Sequence, residues 1–268
     1  MLSKENINSF VRDGYCVLNI DLPCTAVKQA KEIVWDFTPP SFIPAEKNSW
    51  IGMVKDSCII RSMDDRKGRL KFRDGTRGFR SMRALTFYNR ELCESVKSLI
   101  MPHTGILKEK RFMPIYRGIY PIFSQNSIED RIRGHCDTHF FQVGSVVYLN
   151  DVEIDGGAFT VWPGSHHIIA PHATTLSHTH KPEGFDQLCE RVERSINPVQ
   201  ITGKQGTVIL WHHRLLHSAG SNNLGGVRYA MLCDFKNGMA EEKSSDQSGQ
   251  VFDETWSPDV LAEYKKRL

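Results

Sequence analysis

The sequence predicts a mainly β protein of the α+β class: a double-stranded β-helix, the jelly-roll or cupin-like architecture, flanked by N-terminal helices. Two observations carry that expectation. Helical spacing of apolar residues is concentrated in residues 1–100. From Arg111 to Phe235, short runs of β-branched and aromatic residues recur between turns rich in Gly, Asn and Asp. Short strands at regular intervals suggest a double-sheet barrel.

In chain order, Ser3 is placed to cap a helix whose apolar face is Ile7, Phe10 and Val11, with Gly14 to end it. A strand, Tyr15 to Leu18, follows. Thr25 is the expected cap of a second helix carrying Val27, Ala30, Val34 and Phe37, stopped by Pro39-Pro40. Residues 41–83 lose periodicity and carry Gly68, Gly75 and Gly78, which suggests turns and a cover. Asn89 then opens a helix with Leu92, Val96, Leu99 and Ile100 on one side.

After Pro102 the pattern becomes β: a strand from Arg111 to Ile122, a polar loop from Ser124 to Asp130, a strand from Ile132 to Phe141, and a run from Val143 to Val152 containing Tyr148. Asp155-Gly156-Gly157 is a turn before the strand Ala158 to Trp162, and Pro163 to His167 is read as a second turn. Residues 168–198 read as an insertion with a helix around Phe185 to Ser195. Val199 to Ile201, Thr207 to His213 and Val227 to Phe235 restore the strands. The tail after Asn237 is polar up to a short helix at Val260, Leu261 and Tyr264. The expected organisation is one domain over 1–268: a helical flank and cover (1–100), a jelly-roll core (101–236) with the insertion 168–198, and a tail (237–268).

Hydrophobic residues at 40% and charged residues at 24% of 268 positions describe an ordinary globular protein. Seven scattered cysteines without a Cys-X-X-Cys pair suggest neither a disulfide framework nor a cysteine zinc site. The first residues lack the apolar core of a signal peptide, and no apolar run is long enough to span a bilayer, so the expected location is the cytoplasm. Residues 61–83 hold nine Lys/Arg against three Asp, a net +6, which leaves −3 for the remainder of a chain of net charge +3. A solvated face is the plain reading of such a run; an electropositive rim that steers an anionic substrate is the sharper one.

The chemistry centres on Arg133-Gly134-His135-Cys136-Asp137-Thr138-His139. Side chains two apart on a strand share a face, so His135 and Asp137 can grip one cation together, while Cys136 faces away. An ordinary hydrogen-bonded strand pair is the bland alternative. A second histidine is expected from the stretch Gly206 to Asn222, which contains His212, His213 and His217. Two imidazoles and a carboxylate on one face of an octahedron leave three positions open, the arrangement that suits non-heme ferrous iron in oxygenases.

With Phe10-Val-Arg-Asp-Gly-Tyr15-Cys-Val-Leu, His135-Cys-Asp137, Asp155-Gly-Gly-Ala-Phe-Thr-Val-Trp-Pro-Gly-Ser-His166, and Gly206-Thr-Val-Ile-Leu-Trp-His followed by Leu216-His217-Ser-Ala-Gly-Ser-Asn222 and Arg228, the chain resembles the phytanoyl-CoA dioxygenase family of iron- and 2-oxoglutarate-dependent oxygenases. The resemblance implies Fe(II) held by His135, Asp137 and His217, which are then the catalytic residues, with 2-oxoglutarate and O2 as cosubstrates. It implies that Arg228 pairs with the distal carboxylate of 2-oxoglutarate through its guanidinium fork, with Tyr148 and Ser218 as further cosubstrate-binding residues. It further implies oxidation of a small metabolite, by hydroxylation, desaturation or ring closure, with release of succinate and CO2, as in specialised metabolism. An intact Asp137 disfavours halogenation, because halogenating relatives have a small residue there.

Around that centre, His139 shares the expected strand face and is placed to touch substrate or orient a ligand, or to be a satisfied core histidine. Arg117, Arg77, Arg80 and Arg83 are candidate anchors for an anionic or zwitterionic substrate. Trp162 and Trp211 read as barrel filling, with Trp162 kept as a substrate-facing candidate. His212 and His213 read as structural or supporting groups, and Ser165 and His166 as turn residues. A nucleic-acid demethylase is disfavoured because the second arginine such enzymes carry is Asp234 here, so the expected partner is a small molecule, with no nucleic acid and no membrane, on a monomer or homodimer. A non-catalytic metal and 2-oxoglutarate sensor is the alternative from a different class.

Overall fold

Ser3 accepts a hydrogen bond from the Asn6 amide at 3.2 Å and starts α1 (Lys4–Asp13). Gly14 ends it at φ 83°, a left-handed conformation that glycine adopts without steric cost, and a Cβ there would lie 2.7 Å from His166 Nδ1. The chain turns directly into β1 (Tyr15–Asn19). In the computed structural model residues 1–38, 41–50, 71, 79–101, 112–124, 133–177, 179–238 and 249–268 are described. Pro39-Pro40, the polar loop from 125 on, the start of the Arg111 strand and most of the basic segment 61–83 therefore fall outside the described residues.

The second helix, α2 (Cys24–Phe37), begins one residue before Thr25. Pro23 stands at its cap with no side-chain bond, which corrects the expected Thr25 cap. The third, α3 (Arg90–Ile100), is capped by Asn89, whose side chain accepts from Leu92 N at 3.0 Å. The remaining strands are β2 (Phe112–Ile119), β3 (Val143–Tyr148), β4 (Phe159–Val161), β5 (Val199–Ile201), β6 (Thr207–His212), β7 (His217–Ala219) and β8 (Ala230–Asn237). They form a five-stranded sheet in the order β1-β6-β3-β8-β2 and a three-stranded sheet in the order β5-β4-β7, with antiparallel pairing throughout.

Strand alternation sorts the side chains into two layers. Val146, Tyr148, Ile209, Trp211 and Leu232 of the large sheet meet Phe159, Val161 and Ile201 of the small one, and this shared core packs the two sheets face to face, an arrangement consistent with the expected double-stranded β-helix. The opposite face of the large sheet, through Val143, Val147, Leu210, Met231 and Phe235, packs under α1, α2 and α3. A third cluster joins Trp162 and Leu216 to Leu188 and Val192 of the insertion helix, α5 (Phe185–Ser195).

Four expectations are corrected here. Residues 133–141 do not form a ladder strand: a single bridge, His135↔His217, pairs them, and the chain bends at Thr138 and His139. The run after Val143 leaves its sheet at Tyr148 rather than Val152, which makes only an isolated bridge to Gly203. Pro163 to His167 is not a plain turn, because Gly164 at φ 79° leads into the short helix α4 (Ser165–Ile169). The tail is not simply polar. Val251, Phe252 and Trp256 are buried against Phe10 and His212 before α6 (Pro258–Lys265), which Ser257 caps. No helix among the described residues is long and apolar enough to cross a membrane.

This tail covers a group of buried histidines. The His212 ring stacks on Trp256 at 5.0 Å and its Nε2 donates to the Val251 carbonyl at 2.9 Å, while His166 Nε2 donates to the Val11 carbonyl at 3.3 Å. Burial, and then the charge of neighbouring His or Arg side chains, holds His166, His212 and His213 well below the ordinary value of 6.5. Above that value these groups are neutral in both folded and unfolded chains. As pH falls below it the unfolded chain takes up protons that the folded one refuses, so stability is lost by up to about 1.4 kcal/mol per pH unit per histidine. Melting temperatures of metal-free protein measured as the pH is lowered below 6.5 are expected to fall steeply, and more gently in His212→Gln. A flat profile in the unmodified protein would contradict this account.

Candidate metal centre

The irregular segment after Arg133 and the short strand β7 bring three side chains together. One ligand atom from each of His135, Asp137 and His217 lies within 4.8 Å of the others. The backbone bridge between His135 and His217, with N–H···O bonds of 3.0 Å in both directions, sets the two histidines side by side, with ring centroids 4.7 Å apart. Each ring is then oriented by its own neighbourhood. His135 Nδ1 is 3.2 Å from the Arg133 carbonyl, and His217 Nδ1 is 2.9 Å from the Leu215 carbonyl. A carbonyl can only accept, so each bond requires the proton on Nδ1 and leaves the Nε2 lone pair for a metal. His217 Nε2 stands 3.7 Å from Asp137 Oδ2.

The electrostatics suit cation binding. Burial pushes the His217 imidazole down to about 4, aided by His135 and opposed by Asp137, so at neutral pH no proton occupies its lone pair. Burial alone would raise the Asp137 carboxyl, but Arg117, then His217 and His135, outweigh it and hold Asp137 well below the usual carboxylate range. Arg117 Nη1 donates to Asp137 Oδ2 at 2.8 Å. The Arg117 Nε lies 3.6 Å from Asp234 Oδ2, and His139 Nε2 lies 2.7 Å from that same oxygen.

The other expected site residues are distributed unevenly. Arg228 is buried, with Nε donating to the Gly157 carbonyl at 2.8 Å and Nη1 to the Tyr120 carbonyl at 3.0 Å. Tyr148 is close enough for Arg228 to favour its ionised form, but burial dominates and raises the phenol; its hydroxyl donates to the Ile201 carbonyl at 2.7 Å and accepts from Phe159 N at 2.8 Å. Ser218 pairs in register with Thr160 and its hydroxyl donates to the Ala219 carbonyl at 3.2 Å. Alternation thus puts Ser218 on the opposite face from His217, and Ala219 is the residue that follows His217 on the inner face.

Trp162 belongs to the cluster under α5, its indole donating to the Glu193 carbonyl at 3.2 Å, so it does not fill the barrel interior. Trp211 does. Its ring lies 4.9 Å from Phe159 and 5.5 Å from His217, and its buried Nε1 has no hydrogen-bond partner among the described residues. Arg83 places its guanidinium 5.5 Å over the Phe87 ring, and Phe87 packs with the outer layer of the large sheet. The Arg80 side chain and Arg77 lie outside the described residues. Cys136 faces away from the ligands, its thiol 3.5 Å from the Arg214 carbonyl. The association of Arg117 with Asp137 and Asp234 was missed from the sequence. One signal was available: Asp234 lies an even number of residues after Ala230 and Leu232, the inward residues of β8, so it faces inward with them.

A family model described as phytanoyl-CoA dioxygenase matches residues 66–230. No curated protein matches in sequence. Among solved structures, the chain is similar to the non-heme alpha-ketoglutarate-dependent carbocyclase SnoK from nogalamycin biosynthesis (TM-score 0.58, 16% identity, 87% of this chain and 83% of that one). It is also similar to HygX from Streptomyces hygroscopicus, with nickel and 2-oxoglutarate bound (0.53, 15%, 88% and 87%). EctD from S. alaskensis, with 2-oxoglutarate and 5-hydroxyectoine, is a third (0.51, 17%, 87% and 76%). At such identities the likeness speaks for the fold.

The Trp211 ring owes its place to Gly144 on β3, where a Cβ would lie 2.2 Å from Trp211 Cζ2. Gly144→Ala therefore has to displace the indole inside a packed barrel and is expected to destabilise the protein by about 1–3 kcal/mol. Urea unfolding measures this, and an unchanged midpoint would show that the indole has room to move.

Proposed function

We propose that this chain, which belongs to the phytanoyl-CoA dioxygenase family, holds ferrous iron with His135, Asp137 and His217, holds 2-oxoglutarate with Arg228, and hydroxylates a small metabolite. The convergence of three ligand atoms within 4.8 Å, two of them imidazole nitrogens oriented by carbonyls, carries this reading. The donor set fits the group: the imidazoles of His135 and His217 and the carboxylate of Asp137 would hold the ion as two nitrogen ligands and one oxygen ligand, the set that suits non-heme ferrous iron. When bound, the ferrous ion with 2-oxoglutarate and O2 supplies the oxidation, and the cosubstrate leaves as succinate and CO2.

The residues of the chain do the rest. His217, kept neutral by burial, and Asp137, kept ionised by Arg117, offer their lone pairs without first losing a proton. The fork of Arg228, steadied by the Gly157 and Tyr120 carbonyls, is suited to a carboxylate. Apolar walls from Phe159, Val161 and Ile209 exclude water from the space between the sheets, and the unpartnered Trp211 indole N–H is a donor available to a polar ligand there. The carboxylate at 137 favours hydroxylation, desaturation or ring closure over halogenation. SnoK, a carbocyclase of nogalamycin biosynthesis, is consistent with a role in specialised metabolism.

Anaerobic titration of Fe(II) and 2-oxoglutarate into purified protein is expected to develop the weak visible band of the bound pair. His217→Ala should lose it and Arg228→Ala should weaken it. A well-folded protein without the band would overturn the assignment. A band with no substrate found to couple to succinate release would favour a sensor.

For the substrate we infer an anionic or zwitterionic small molecule, steered by the basic stretch that ends in Arg77, Arg80 and Arg83. Replacing these three by Gln should raise the apparent KM of the coupled substrate about tenfold at low salt while leaving kcat near its original value. A KM that stays put would remove these arginines from substrate capture.

A further inference from the structure

Arg117 occupies an irregularity in β2. Tyr116 pairs with Cys233 and Gly118 with Leu232, so Arg117 is the extra residue of a β-bulge. A bulge leaves one residue unpaired and re-aims its side chain. Here the guanidinium turns into the barrel, where its side chain is only 12% exposed. Its Nη1 bonds to Asp137 Oδ2, the oxygen that also stands nearest His217 Nε2. Its Nε faces Asp234, whose side chain is fully buried. Asp234 in turn takes a 2.7 Å bond from His139, two residues beyond Asp137.

These contacts close a ring. From Asp137 it passes through Arg117 to Asp234, then to His139, and back along the backbone through Thr138. Net stability does not account for it, since buried ion pairs are commonly matched or surpassed by apolar packing of the same volume. Orientation does account for it. A guanidinium pinned between two carboxylates cannot follow Asp137 through its rotamers, so Asp137 has one place to rest. His139, tied to Asp234, holds the bend of the chain just after the carboxylate. The second oxygen of Asp234, Oδ1, has no hydrogen-bond partner among the described residues. A purely structural carboxylate would be expected to have found one.

We propose that Arg117, braced by Asp234 and His139, is a positioning residue that fixes the Asp137 carboxylate for metal binding. This rests on the reading of His135, Asp137 and His217 as ligands, and it takes Arg117 out of the set of substrate anchors. Groups that orient a ligand typically contribute about 10–100-fold to metal affinity, and that is the size of effect at stake.

The test is Mn(II) binding to metal-free protein, followed by the loss of the free-ion electron paramagnetic resonance signal, without cosubstrate or turnover. Arg117→Met is expected to weaken Mn(II) about 10–100-fold, Arg117→Lys less, because the charge remains and the fork does not. Asp234→Asn, close in shape, should weaken it several-fold with little change in melting temperature. If Arg117→Met does not fold, the Lys and Asn variants decide. Unmodified protein that fails to bind Mn(II), or that binds it equally as His217→Ala, would overturn the ligand assignment and this proposal with it. Normal binding by unmodified protein, lost in His217→Ala but undiminished in Arg117→Lys and Asp234→Asn, would overturn the positioning role alone.

Discussion

Asp137 carries a negative charge into a barrel whose walls are otherwise largely apolar, and much of the local architecture follows from that charge. Removing a carboxylate from water costs several kcal/mol unless cations and donors match it closely. Matching it here takes Arg117 from an edge strand, the His217 imidazole from β7 and the His135 imidazole from its own segment. Strand β2 must pair with β8 in the register that turns Arg117 inward, and the chain after His135 must leave its bridge so that Asp137 meets the guanidinium. The short β7, fixed by β4, has to present His217 at the same depth.

The two inward arginines are held by different chemistry, and this separates their uses. The side chain of Arg228 donates to backbone carbonyls of Gly157 and Tyr120. Carbonyl dipoles fix the direction of a guanidinium without cancelling its formal charge, so such a group suits an incoming anion. Arg117 instead faces two carboxylates, Asp137 and Asp234, which do cancel it.

The fold was largely legible because its elements are periodic and locally punctuated. Ser3, Gly14 and Asn89 did what cap residues do, and the insertion helix lies at Phe185–Ser195 as its spacing indicated. What was not legible depends on partners distant in sequence. Val251, Phe252 and Trp256 read as part of a polar tail, yet they are buried because His212 and Phe10 offer a surface that no local pattern announces. The segment from 133 to 141 has strand-like residues, but among the described residues it meets the three-residue β7 at the single bridge His135↔His217, and it bends where a strand was expected.

The site divides along the same line. His135 and Asp137 announce themselves by spacing, and the motif around His217 by its place in the chain. Ser218 could have been set aside from sequence alone. It is the immediate neighbour of His217, and if His217 faces inward on a strand, Ser218 faces out and Ala219 returns to the inner face. Parity also ties Asp234 to Ala230 and Leu232. Within β2 alternation already turns Arg117 inward, away from the outer face that takes Phe112 and Tyr116, but its approach to Asp234 depends on a register shift that nothing in Tyr116-Arg117-Gly118 announces until β8 is laid beside it. A group that acts through another group is read only when the register between their strands is known. For this reason the proposed metal ligands were visible in the sequence and the residue proposed to brace one of them was not.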